Sequence, residues 1–472
     1  MADADQGAKR RTFFDFILLS GGESLSKVAG FIAFGYLGRT LTKEGYGTVE
    51  TAASFVGFFS IMVDFGLGTI GAREAAKDRK VVPSYAALIP GARLLLGVLA
   101  VPAMLLLSYL IVEPSARPLV WLFAASLPFL VLNQRWLFQG IERMTVVAGA
   151  QLLRMVAFLA AVLLLVRSAD DLLAVGYAEV GAVAFMALYF VGNQFRFSIP
   201  VRLAWPRDPL KGLFSEAWFV GLGQMVWAFN QHTPVLLIAG LVSATEVGVY
   251  GSANRIFVSL STFSMLYHFN LFPTISRLLV ESKEAFDRAI EASFRVTSWA
   301  SVAVAVALTI LAEEACTIAF GADFASSGPA LAILAWSLPI TLVSGHARWG
   351  LVACGQQRYG LVAQVGGAVV TAGLGFAMVA EYGAIGAAIT NVVAASVAWG
   401  VCQFYAVRHL GRMPFLVASI KPAIAAIAAL GAAHFVPNPW VATAAAAGVY
   451  VVVALVIERA LITDFSDLLA RR

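Results

Sequence analysis

The sequence predicts an all-α integral membrane protein, and three observations carry that expectation. The 472-residue chain is 60% hydrophobic and only 13% charged, with a mean hydropathy of +0.81. Soluble domains run to roughly half apolar and about a quarter charged. A water-soluble core this apolar would lack the polar side chains to cover its surface. Second, the apolar residues gather in blocks of about 18 to 28, the length a helix needs to cross a hydrocarbon core of about 30 Å. Third, the alternating segments of about 10 residues that build a membrane β-barrel are absent. Backbone groups in lipid must bond within their own segment, so the blocks are helices.

Taken in order, the blocks give fourteen spans, at 13–38, 45–72, 86–112, 118–140, 147–166, 172–195, 212–241, 247–276, 288–312, 328–352, 358–380, 384–407, 416–436 and 440–461. The first run follows a polar, basic start (Met1 to Asp15) and lacks a small-residue cleavage site, so it reads as a helix and not a removable leader. Basic residues test the count. With the N-terminus in the cytoplasm, the inside segments hold 21 Lys and Arg, from Lys9-Arg10-Arg11 through Arg73, Lys77, Arg143, Arg207, Arg358 and Arg412 to Arg459, Arg471 and Arg472. The outside segments hold 4, namely Arg39, Lys43, Arg117 and Arg167. That bias is the one cytoplasmic loops show, and it places both ends inside. It also accounts for the net charge of +5 without nucleic acid. Cys316, Cys354 and Cys402 are far apart, and with 5 His in the chain neither a metal site nor a cofactor is expected.

The first six spans echo the next six. Glu44-Gly-Tyr46-Gly47 between spans one and two is answered by Glu246-Val-Gly-Val-Tyr250-Gly251 between seven and eight. Gly140-Ile-Glu-Arg143 is answered by Gly355-Gln-Gln-Arg358, and Tyr177 to Ala182 by Tyr382 to Ala387. Six is even, so the two copies share one orientation, as in parallel-repeat transporters. The organisation expected is a bundle over 1–195, a cytoplasmic linker over 196–211 with Pro200, Pro206 and Pro209, a second bundle over 212–410, and two further helices with a tail over 411–472. The segment 313–327 reads as a solvated outside loop.

Ionisable residues inside spans cost at least about 2.5 kcal/mol each against lipid, so they face a cavity or a partner. The basic ones are Lys27, Arg93, Arg135, Arg154, Arg255, Arg295, Arg348 and Lys421; the acidic ones include Glu23, Glu50, Asp64, Glu179, Glu216 and Glu291. Glu23 stands one turn before Lys27, a spacing at which the two pair. Lys421 reads as reaching for the headgroups, as the long arginines near the inside surface also can. The excess of cations at intermediate depth suits an anionic ligand, since Arg grips phosphate with two parallel donors. Asn230, Gln231 and His232 form a neutral cluster before Pro234, which is expected to kink span seven. Glu23, Asp64 and His232 are the candidates for ion coupling. No nucleotide-binding motif and no paired carboxylates on an outside loop appear, so neither an ATPase nor a membrane glycosyltransferase is expected.

The stretch Leu37-Gly-Arg-Thr-Leu-Thr-Lys-Glu-Gly-Tyr-Gly47 resembles the polysaccharide transporter family, the Wzx-type flippases of lipid-linked oligosaccharides, within the multidrug/oligosaccharidyl-lipid/polysaccharide exporter superfamily. So do Asp64-Phe-Gly-Leu-Gly68 with Arg73-Glu74, Gly140-x-x-Arg143 and Tyr382-Gly-x-x-Gly-Ala387. The resemblance implies two six-helix bundles and two C-terminal helices around a central cavity, alternating between inward-open and outward-open states in a bacterial inner membrane. It implies a substrate made of an oligosaccharide on an isoprenoid diphosphate, with membrane lipids and the polysaccharide polymerase machinery as partners. Lys27 and Arg255 would clasp the diphosphate, with Arg93, Arg135, Arg154, Arg295 and Arg348 as further contacts. The rivals are a cation-coupled multidrug exporter, which favours a carboxylate-dominated cavity, and a lipid II flippase, which differs in the headgroup.

Overall fold

A computed structural model describes residues 2–205, 207–411, 413 and 415–458 of the chain. Pro206 of the linker and Arg412, Arg459, Arg471 and Arg472 of the basic count lie outside them. The described residues are helices joined by short turns, with no strand among them. Eight of the helical stretches are long and apolar enough to cross a membrane. The chain is an all-α, multi-pass membrane protein, built as two compact units, Met1–Gly248 and Val249–Arg472.

The first unit holds α1 (Ala2–Thr40), α2 (Lys43–Asp64), α3 (Leu67–Lys77), α4 (Val82–Ile111), α5 (Arg117–Ala124), α6 (Leu127–Leu130), α7 (Arg135–Gly140), α8 (Met144–Leu165), α9 (Leu172–Arg196) and α10 (Arg207–Leu241). Helix α1 lies along α8 and α8 along α9, while α2 packs on α4, α5 and α10. Hydropathy reads 45–72 as one span, but the chain divides it. Phe65 and Gly66 take φ of 41° and 77°, ending α2 and starting α3. Such left-handed backbone suits glycine best. Gly66 also leaves room for α10, because a Cβ there would lie 2.8 Å from the Gly221 amide nitrogen. Span four is likewise three short helices. Pro118 and Pro128 sit in the first turns of α5 and α6, where a missing N–H costs nothing. The core beneath these breaks contains Leu67, Ile70, Trp136, Phe138, Phe190 and Ala217. Beyond α9 the linker is docked and not free, since the Ala204 amide donates to the Ala87 carbonyl at 3.0 Å. Helix α10 continues through Pro234.

The second unit contains most of α11 (Ala244–Glu281), then α12 (Lys283–Ile310), α13 (Ala312–Phe320), α14 (Gly328–Ala335), α15 (Ser337–Ala353), α16 (Arg358–Leu410), α17 (Phe415–His434) and α18 (Pro439–Ile457). Helix α12 touches α14, α15, α17 and α18, and so ties the C-terminal pair to the rest. Ser282 caps its start by accepting from the Ala285 amide, and Asn438 caps α18 ahead of Pro439. Spans eleven and twelve run together as α16, turned at Gly383, whose φ of 53° and ψ of −126° no helix adopts. The segment read as a solvated outside loop is instead helical. Cys316, Phe320 and Phe324 are buried, and the two rings meet at 5.7 Å. Its acidic residues mask an amphipathic pattern that packs on α14.

Candidate functional site

Most intramembrane cations of the first unit are held by carboxylates on other helices. Arg93, 5% exposed on α4, places Nε at 3.0 Å and Nη2 at 2.5 Å from Asp64 Oδ1, and its Nη1 donates to the Asn133 carbonyl. Spans two, three and four thereby meet at one guanidinium. Gly68 makes the space, since a Cβ there would lie 3.0 Å from Asp64 Oδ1 and 3.1 Å from Arg93 Nη2. Arg154 Nη2 donates to Glu179 at 2.5 Å, and Arg135 Nη2 to Glu23 at 2.9 Å. Glu23, expected beside Lys27, thus reaches a residue far away in sequence. His232 lies against Gly57, where a Cβ would run into its ring, and Glu50 is its charged neighbour. Lys27 is exposed on α1.

At the end of α3 and the start of α10 the charges form a surface network, which includes Glu216, expected inside span seven. Arg73 donates to Glu74 and to Glu216, and Lys77 to Glu74. Lys77 and Arg73 hold the Glu74 carboxyl below the usual carboxylate range.

The second unit is arranged differently. Arg295 Nη1 lies 3.4 Å from Glu458, which also receives Lys421 Nζ at 2.7 Å. Lys421, expected to reach for headgroups, instead joins α17 to the end of α18. Arg255 is partly buried on α11. Arg348 on α15 stands apart. It is exposed, and among the described residues no carboxylate lies within 4 Å of its guanidinium and no hydrogen bond engages it. Its electrostatic neighbours are His268 and Cys402. Beside it runs a line of neutral polar groups from three helices. Tyr267 Oη meets Ser293 Oγ at 2.5 Å, Ser293 Oγ meets His346 Nε2 at 2.6 Å, and His346 Nδ1 lies 3.4 Å from His268 Nε2. Phe294 stacks on His346 at 4.3 Å, and Gly345 is the residue whose missing Cβ makes way for the His268 ring.

Sequence reasoning did not single out Tyr267, His268, Ser293, His346, Asn133 or Glu458. A signal was present for several of them. Ser126-Leu-Pro128 and Ser337-Leu-Pro339 are 211 residues apart, and Arg135-Trp136 and Arg348-Trp349 are 213 apart. The helix-ending turns that follow also agree at 213. The Arg143 amide bonds to the Phe138 carbonyl at 2.7 Å with Glu142 at φ 59°, and the Gln356 amide bonds to the Leu351 carbonyl at 2.7 Å with Gly355 at φ 73°. By the same offset Asn133 corresponds to His346, and by the 204 that separates Tyr46 from Tyr250, Asp64 corresponds to His268.

Comparison with known proteins bears on the family and the fold. The model of a family described as polysaccharide biosynthesis protein matches residues 14–279. A Shigella dysenteriae protein provisionally named an O-antigen transporter is 23% identical over 376 residues, covering 76% of this chain and 91% of that protein. Among solved structures, the lipid II flippase MurJ in an inward closed conformation aligns with a TM-score of 0.74 at 13% identity, over 94% of this chain and 100% of that one. An inward-facing multidrug resistance MATE transporter of the MOP superfamily aligns at 0.66 with 15% identity, over 82% and 94%. The fold is the one these transporters share.

Proposed function

The chain belongs to the polysaccharide biosynthesis protein family, and from that premise we propose that it is a flippase for an oligosaccharide carried on an isoprenoid diphosphate. It moves this lipid from the cytoplasmic to the outer leaflet of a bacterial inner membrane by alternating access, with both termini in the cytoplasm, and delivers it to the polymerase machinery. The repeat supports reading 1–195 and 212–410 as its two halves, joined by 196–211 and followed by the appended 411–472. The observation that carries the reading is Arg348, a guanidinium within a membrane helix that has no carboxylate within reach among the described residues. Such a cation is costly unless an anion visits it, and the diphosphate is one.

Lys27, Arg255 and Arg348 are the proposed diphosphate contacts. Arg93, Arg154, Arg135 and Arg295 already hold carboxylates, so in this reading they fix helix against helix. Nothing in the proposed cycle makes or breaks a covalent bond. The test uses a strain whose surface polysaccharide depends on this protein. Alanine at Lys27, Arg255 and Arg348 together should abolish surface polysaccharide and leave the lipid-linked oligosaccharide on the cytoplasmic leaflet. Normal export with all three changed sinks the proposal. Loss of drug resistance or of peptidoglycan synthesis, with export intact, would support the exporter or the lipid II flippase instead.

A further inference from the structure

The polar line beside Arg348 has a direction that its ends impose. His268 Nδ1 lies 2.8 Å from the Ser264 carbonyl. A carbonyl only accepts, so this nitrogen carries the hydrogen and His268 Nε2 is an acceptor. His346 Nδ1 faces that acceptor and the Val343 carbonyl, 3.2 Å away, so it too carries hydrogen. His346 Nε2 must then accept from Ser293, and Ser293 from Tyr267. His268 and His346 are fully buried and Tyr267 is half-buried, so the line runs from an accessible end to a sealed one.

Such a line conducts a proton with atoms and charge in balance. A proton arriving on Tyr267 Oη releases that hydroxyl's hydrogen to Ser293, and Ser293 releases its own to His346 Nε2. Both hydroxyls end reversed and neutral. His346 becomes an imidazolium that donates from Nε2 to Ser293 and from Nδ1 toward His268, so no hydrogen bond is lost at the ring. The groups facing the rings are Ser264 and Tyr267 from α11, Ser293 and the Phe294 ring from α12, and Arg348 from α15, with Cys402 of α16 next to Arg348. Among the described residues no carboxylate faces them. Passed on from His346 Nδ1 to His268 Nε2, the charge comes within electrostatic reach of the Arg348 guanidinium, and like charges oppose each other. An anion on Arg348 removes that opposition, and by linkage a proton on the rings strengthens the anion's hold.

We propose that Tyr267, Ser293, His346 and His268 form a proton-binding relay that fills when an anionic group binds Arg348, so that substrate and proton enter the cycle together. The choice of that anion rests on the diphosphate reading above. Polar chains inside membrane proteins mark proton paths where they are continuous and end at a titratable ring.

Calorimetric titration of the purified full-length chain with farnesyl diphosphate, in two buffers of unlike ionisation heat, counts the protons taken up on binding. The wild-type chain should take up about one proton more than His346→Gln does. Ser293→Ala keeps both rings but removes the oxygen that receives the new N–H; it should lose most of that proton while still binding the probe. His434→Gln, on exposed α17 surface, should keep it. Binding with the same proton count in wild type and both relay variants overturns the relay and leaves the diphosphate reading standing. Absence of binding overturns the diphosphate reading, and this coupling with it.

Discussion

The two units place polar groups at corresponding positions and fill them with opposite chemistry. In the first, Asp64, Arg93 and the Asn133 carbonyl join spans two, three and four through a permanent ion pair. In the second, His268, Ser293 and His346 join spans eight, nine and ten through neutral hydrogen bonds. The backbone explains part of the contrast. Helix α2 ends at Asp64, where Phe65 and Gly66 turn left-handed, and a charged cluster occupies the break. Helix α11 runs on past His268, whose ring is held by the carbonyl one turn back. A closed ion pair joins three helices, whereas beside the neutral line Arg348 has no carboxylate within 4 Å among the described residues. The Asp64–Arg93 cluster uses its charge for packing, and on the proposed reading the second cluster leaves the Arg348 charge for a ligand.

The contrast can be broken most forcefully in the first unit. Arg93→Met strands the Asp64 carboxylate in the membrane and should cost about 3 to 5 kcal/mol, read as loss of folded protein in the membrane fraction. Replacing both, Asp64→Asn with Arg93→Met, should recover most of that loss. A single variant no worse than the double would show that the pair is not a lock. Next in size is the break itself. Gly66→Ala forces a Cβ onto a φ of 77° and against Gly221, and should cost about 1 to 2 kcal/mol or more in thermal unfolding in detergent. In the second unit His346→Gln should cost less than Arg93→Met, about 1 to 3 kcal/mol, because it disturbs hydrogen bonds and strands no charge.

The smallest effect lies outside the membrane. Lys77 and Arg73 lower the Glu74 carboxyl in the folded state. Its contribution is therefore present above the usual carboxylate range and lost as pH falls through the lowered value. Glu74→Gln should flatten that acid limb slightly, and an unchanged pH profile of unfolding would contradict it.

Hydropathy alone made the fold class legible, because lipid demands long apolar helices whatever they pack against. The breaks at Phe65, in span four and at Trp336 were not legible, since an apolar block reads the same whether its helix is whole or divided. Which charges fall within apolar blocks could be read, but partnership could not. Arg135 finds Glu23 112 residues away, and Lys421 finds Glu458 37 away. Lone histidines in apolar spans look like core, and His268 and His346 gain meaning only by meeting across 78 residues. The repeat did carry Arg348 and its equivalent Arg135, through Ser-Leu-Pro and Arg-Trp, but the spacing between those motifs grows by two residues in the second copy. A fixed-period comparison slides past them.

The most direct measurement is surface polysaccharide per folded transporter in a strain that depends on this protein, compared between Arg348→Gln and the neutral double Asp64→Asn with Arg93→Met. If Arg348 serves the ligand and the Asp64–Arg93 pair serves packing, Arg348→Gln should lower export per folded chain at least about tenfold, roughly 1.4 kcal/mol, while the double variant exports normally per folded chain. Normal export with Arg348→Gln, and its loss in the neutral double, would contradict that division.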